Sequence, residues 1–151
     1  MAGSARLIAQ LLLVALLLVG CAPTTSSLTG DRAGLETAVS RWESLGASRY
    51  QFSLQIDCYC IEEYRGPFLV EVDGETVAIS RAGVAVSDEV RAALPLPVEA
   101  LFARVRARLD DVGLRLVFDQ TTGLPIEFYS DPIPAAADDE WGFRIDAIVI
   151  N

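Results

Sequence analysis

The chain has 151 residues, with 12 basic against 21 acidic side chains and no histidine. Every basic residue is arginine, and the absence of histidine excludes Ser-His-Asp and Cys-His nucleophile arrangements, histidine-ligated zinc and the usual neutral-pH proton shuttle. A net charge of −9 repels polyanions, so nucleic acid is not expected as a partner and polybasic docking on anionic lipid is disfavoured.

The first twenty residues, MAGSARLIAQLLLVALLLVG, carry one charge, Arg6, ahead of an apolar run over residues 7–19 that only Gln10 interrupts. A membrane-spanning helix needs about 20 apolar residues; the shorter run behind a positive start has the layout of a signal peptide. Its end, Leu18-Val19-Gly20-Cys21, resembles the bacterial lipobox. The resemblance implies that residues 1–20 are a lipoprotein leader cut before Cys21, that Cys21 carries diacylglycerol through a thioether, and that the new amine is acylated. Two or three acyl chains anchor a protein durably where one does not. In Gram-negative bacteria an aspartate after the lipidated cysteine resembles an inner-membrane retention signal, and Ala22 stands there instead. The expected location is therefore the outer membrane, facing the periplasm.

Residues 21–30 read as the lipidated cysteine and a flexible tether: APTTSSLTG is small and polar, and nine residues reach at most about 30 Å. Residues 31–151 have the size of one domain with its own core. Asp31 is placed to cap a helix running to Leu45, with Leu35, Ala38, Val39, Trp42 and Leu45 on one stripe and Gly46 as the stop. From Tyr50 to Cys60 apolar and polar residues alternate, so a strand is expected with Tyr50, Phe52, Leu54, Ile56, Cys58 and Cys60 on its buried face.

PFLVEVDGETVAI is a hairpin signal. A two-residue turn at Asp73-Gly74 pairs Val72 with Glu75, Val70 with Val77 and Phe68 with Ile79, and puts Phe68, Val70, Val77 and Ile79 on one face. Residues 82–97 read as a connection with a helical turn after Ser87 and stops at Pro95 and Pro97. A second helix starts at Pro97 with Val98, Leu101, Phe102, Val105 and Leu109 inward, and ends at Gly113. LRLVFD, LPIEFY and WGFRIDAIVI give three further strands; Leu114, Leu116 and Phe118, then Leu124, Ile126 and Phe128, then Trp141, Phe143, Ile145, Ala147 and Val149 mark their apolar faces. Pro125 and Pro132 beside the middle one suit a position at or near an edge. The expected fold is α+β: about six antiparallel strands with two helices packed on one face, in the order helix, three strands, helix, three strands.

A tryptophan-bearing first helix, YQFSLQIDCYCIEEYRGPFLVEVDGETV, VEALFARVRARL, LVFDQTTGLPIEFYSDP and DDEWGFRI together resemble a family of small bacterial secreted and lipid-anchored proteins, domain of unknown function 6174. The likeness spans nearly all of the chain after the leader, with Tyr-x-Phe leading into Cys-x-Cys as its most specific part. It implies a shared fold and compartment, and carries no catalytic residues.

Two sets of side chains hold candidate chemistry. Cys58 and Cys60 are an even pair in an oxidising compartment once Cys21 is lipidated, which favours a structural disulfide. On an extended strand their Cα atoms lie about 6.6 Å apart, at the upper edge of the disulfide range, so a bulge or a strand end near Cys58 is required. Inert buried thiols, a redox couple and a soft-metal clip are the alternatives. Asp131, Asp138, Asp139 and Glu140 are weak calcium candidates without the spacing of a calcium loop. No cofactor motif appears: there is neither GxGxxG nor GxxxxGK[ST]. The expectation is a non-enzymatic, lipid-anchored envelope protein that binds an envelope partner or supports the envelope; the alternative is a thiol-redox or soft-metal protein using Cys58 and Cys60.

Overall fold

The computed structural model describes residues 30–136 and 138–151; the leader, Cys21 and the tether up to residue 29 lie outside them. Helix α1 (Arg32–Leu45) begins where Asp31 accepts a hydrogen bond from the Gly34 N–H at 2.7 Å and stops at Gly46, which takes the left-handed conformation at φ 59°. Strand β1 (Arg49–Cys58) follows, then a 3₁₀ turn (Glu62–Tyr64), β2 (Phe68–Asp73), β3 (Thr76–Arg81), β4 (Val84–Ala85), α2 (Asp88–Ala93), α3 (Val98–Ala107), β5 (Arg115–Phe118), β6 (Pro125–Ser130) and β7 (Trp141–Ile150).

The fold is α+β, built on an antiparallel sheet of seven strands in the order β4-β3-β2-β1-β7-β6-β5. The extra strand and the third helix both come from residues 82–97, read from sequence as a connection. Ala82 and Gly83 both have positive φ, at 51° and 80°, and turn the chain so that Val84 pairs with Arg81. Ser87 then caps α2 by accepting from the Val90 N–H at 3.3 Å.

β1 lies at the centre, between β2 and β7, and its alternation decides which face is buried. Tyr50, Phe52, Leu54 and Ile56 point into the core with Phe68, Val70 and Val72 of β2, Ile79 of β3, Phe128 of β6, and Phe143 and Ile145 of β7. The helices supply Leu35, Ala38 and Trp42 from α1, Val90 from α2, and Val98, Leu101, Phe102 and Val105 from α3. Trp42 meets Tyr50 edge to face at 5.1 Å, a geometry that adds to burial. Burial raises the Tyr50 hydroxyl above the ordinary phenol range; the Val98 N–H it accepts opposes that shift and Glu99 reinforces it. The polar residue in the core, Ser130, donates to Asp111 at 2.5 Å and accepts from Arg108 at 3.2 Å, tying the end of α3 to β6.

Five sequence expectations change. The β2–β3 hairpin turns at Gly74-Glu75, not Asp73-Gly74: Asp73 pairs with Thr76, Val72 with Val77 and Val70 with Ile79. Gly74, at φ 60°, takes the first central position, which favours a type II′ turn. Because the slip is by two positions, the apolar face is unchanged. In β7 a bulge opposite Gln51–Ser53, with Ala147 at φ 54°, reverses the alternation. Ile148 therefore packs against the core while Ala147 and Val149 are exposed. α3 ends at Ala107, short of Gly113, and Leu45 is left exposed at the end of α1. β1 stops at Cys58, so Cys60 is no longer on a strand.

The β5–β6 turn is clamped on α1. Asp119 accepts from the Thr121 and Thr122 N–H groups, at 3.1 and 2.7 Å, and from the Thr122 hydroxyl at 2.8 Å. Arg41 of α1 donates to the Gln120 carbonyl, and Gly123, at φ 80°, lies so near the Ala38 carbonyl that a side chain would collide with it. Partial burial pushes the Asp119 carboxyl up, but the donors of Thr122 and Thr121, with Arg41 nearby, outweigh it and leave its pKa below the usual carboxylate range. A lowered native pKa favours folding above the unfolded-state value and loses that contribution as pH falls through the native value. Asp119→Ala is expected to lower stability in urea unfolding at neutral pH by about 1–2 kcal/mol, and the deficit should shrink as the pH is taken down through the acid range.

Candidate functional site

Where β1 ends the backbone bends, bringing the Cα atoms of Cys58 and Cys60 to 5.3 Å and their sulfurs into contact. The separation falls within the disulfide range that an extended strand would have strained. The loop beyond folds back over β1. The Arg65 carbonyl accepts from the Ile56 N–H at 2.8 Å and from the Gln55 amide at 2.7 Å, and Arg81 bridges to Glu62 at 2.9 Å. Both cysteines are half-buried, and Tyr59 between them is exposed. On the inner side an apolar recess of about 200 Å³ is lined by Ile56, Tyr64, Leu94 and Trp141. On the outer side Asp57, Tyr59, Ile61, Arg65 and Glu140 surround a wider one of about 530 Å³.

The acidic segment between β6 and β7 is not drawn into a cluster. Among the described residues no group of three or more cysteines and carboxylates is placed to hold a metal ion, Asp131, Asp138, Asp139 and Glu140 included. Glu140 accepts from the Asp138 N–H at 3.1 Å. Both carboxylate oxygens of Asp139 and one of Asp131 are shielded from solvent without a hydrogen-bond partner among the described residues.

The sheet face opposite the helices carries a recess that no motif announced. Two cross-strand rows build it: Gln55, Arg144 and Glu127 in one, and Asp57, Gly142, Tyr129 and Arg115 in the next. Gly142 leaves the second row without a side chain at its middle, because a Cβ there would lie 2.5 Å from the Phe128 carbonyl oxygen. The resulting recess of about 290 Å³ is walled by Gln55, Asp57, Arg65, Arg115, Glu127, Tyr129 and Arg144. Arg115 pairs with Glu127 and stacks 5.2 Å above the Tyr129 ring. Desolvation raises the Tyr129 hydroxyl, the negative fields of Asp131, Glu140 and Asp57 add to it, and Arg115 opposes them. In the sequence these residues are spread from 55 to 144, and only strand pairing unites them.

A family model described as a family of unknown function (DUF6174) matches residues 34–150, so the chain belongs to that family. No curated protein and no solved structure matches it.

Replacing both cysteines, Cys58→Ser with Cys60→Ser, is expected to cost about 1.5 kcal/mol, the loop-closure entropy of so short a ring. Thermal unfolding of the variant should match that of the reduced native chain. Indistinguishable curves for the oxidised, reduced and substituted proteins would show that the pair adds no cross-link stabilisation.

Proposed function

We propose that this DUF6174 member is a non-enzymatic binding or structural module of the bacterial envelope, lipid-anchored through Cys21 and held in shape by a Cys58–Cys60 disulfide. The observation that carries the reading is Leu18-Val19-Gly20-Cys21 directly behind an apolar run. The compartment it implies is oxidising, and the close approach of the two sulfurs fits such a compartment. The polar, largely solvent-facing side of the sheet, with its recess of about 290 Å³, offers a partner a broad surface while the helices close the other side. The absence of Asp at position 22 favours the outer membrane, with the domain in the periplasm.

A second reading, thiol-redox or soft-metal chemistry at Cys58 and Cys60, draws on their partial exposure beside the wide outer recess. The two readings differ in reduction potential. A bond that resists the glutathione range is structural, and one poised within it is exchangeable.

Cys21→Ser should move the protein from the membrane fraction to the soluble fraction. Mass spectrometry of the native protein should find residues 1–20 removed and Cys21 carrying diacylglycerol and an amide-linked acyl chain. An unmodified Cys21 in a membrane-free protein would end the anchoring reading.

A further inference from the structure

We propose that the end of the sheet bearing Cys58 rests against an electrically neutral, zwitterionic bilayer surface; the inference builds on the anchoring reading above and gives the domain an orientation. The strand register shows which loops share that end. β1, β3 and β6 finish there, β2, β5 and β7 start there, and β4 is paired to the finish of β3.

Its connections carry the large hydrophobic residues left most exposed. Tyr59 (76%), Val84 (70%), Ile61 (65%), Val112 (62%) and Ile133 (57%) stand apart from the remaining exposed ones, which run from 37% to 45%. Tyr59 and Ile61 follow β1, Val84 pairs with the last residue of β3, Val112 precedes β5, and Ile133 follows β6. At the opposite end the β2–β3 connection is Gly74-Glu75 and the β5–β6 connection runs from Asp119 to Leu124, polar but for Leu124, which is buried.

The described chain also begins at this end. Gly30 sits against Leu116 near the start of β5, where a Cβ would lie 2.9 Å from the Leu116 carbonyl oxygen, and Arg32 bridges to Asp110 at 3.6 Å. A tether from Cys21 that arrives there reaches at most about 30 Å, so this end is the one held nearest the bilayer. Shape and charge narrow the occupant. Seven strands at about 4.8 Å spacing spread the five residues over a width of roughly 30 Å. Such spacing suits a flat surface better than a peptide groove, and tyrosine favours the membrane interface. Glu62, Glu63, Asp110, Asp131, Asp138, Asp139 and Glu140 lie among the same connections; Arg81 and Arg32 pair with Glu62 and Asp110, and Arg65 adds a third cation, so the end stays net acidic and repels anionic headgroups.

The test uses the full chain isolated from bacterial membranes and reconstituted into phosphatidylcholine vesicles carrying a diazirine-tailed phosphatidylcholine, with cross-links mapped by mass spectrometry. Cross-links should fall on the segments holding Tyr59, Ile61, Val84, Val112 and Ile133. They should drop roughly tenfold in a Tyr59→Ser, Ile61→Ser, Ile133→Ser variant that still floats with the vesicles, surface exchanges of this kind being mild for folding. Adding phosphatidylglycerol should reduce them further, and salt should restore them. Cross-links concentrated on residues 73–76 and 119–123, or equal in anionic vesicles, would overturn the orientation. Native chain that floats yet cross-links nowhere in the domain would also overturn it while the anchor stands; chain that fails to float would overturn anchor and orientation together.

Discussion

Phe52 and Leu54 lose all contact with solvent at the centre of the sheet, and the other strands take their places from them. β1 is the strand that joins both halves of the chain. Its one edge holds β2 and the hairpin beyond, while its other holds β7, the last strand to be made. The buried row Tyr50, Phe52, Leu54 and Ile56 fixes the register on both sides, since a slip by one residue would put Gln51, Ser53 and Gln55 under the helices. Burying that row needs α1 and α3 together: Trp42 closes over Tyr50, and the α3 N-terminus donates the Val98 N–H to the Tyr50 hydroxyl. The helices exist to cover β1, and the opposite face is left free for polar residues.

That division explains the cysteine pair. Alternation carries Cys58 toward the core side at the very end of β1, but ladder pairing with β7 stops there, at Trp141. Once the backbone is released from the sheet it bends, and the two Cα atoms close to 5.3 Å. A bond between them, as proposed above, would close the reversal at which the Arg65 carbonyl folds back onto the Ile56 N–H. Tyr59 is turned outward by the same bend.

Much of this was legible because local chemistry and tertiary context agree. Asp31 and Gly46 bound α1 as their cap preferences require, and the β1 alternation is uninterrupted because the strand is central and buried on one face. Legibility fails where two local solutions have similar energy. Asp73-Gly74 and Gly74-Glu75 are both acceptable two-residue turns, and pairing of Asp73 with Thr76, reinforced by the bridge from Arg49 to Asp73 at 3.1 Å, settles the choice. It fails again at Ala147, a residue that seldom takes positive φ, where the bulge answers to the far half of the sheet. The recess on the open face was invisible for a related reason: Gly142, Tyr129, Arg115 and Asp57 carry no spacing signal, and Gly142 matters only for the side chain it omits.

The open-face recess and the Cys58 end are not independent. Asp57, Gly142, Tyr129 and Arg115 form the row nearest that end, one step before β1 and β6 finish. With a rise of about 3.4 Å per residue, the recess lies within a few ångströms of the exposed rim of Tyr59 and Ile61. A domain seated on that rim stands its sheet upright on the bilayer, with the recess opening sideways just above the headgroups. In that proposed orientation a ligand of the recess would approach along the membrane surface, past the acidic rim, toward Arg65, Arg115 and Arg144 in the recess wall. On the anchoring proposed above, a tether of residues 22–30, reaching at most about 30 Å, would hold that row, and not the polar hairpin tips, nearest the membrane.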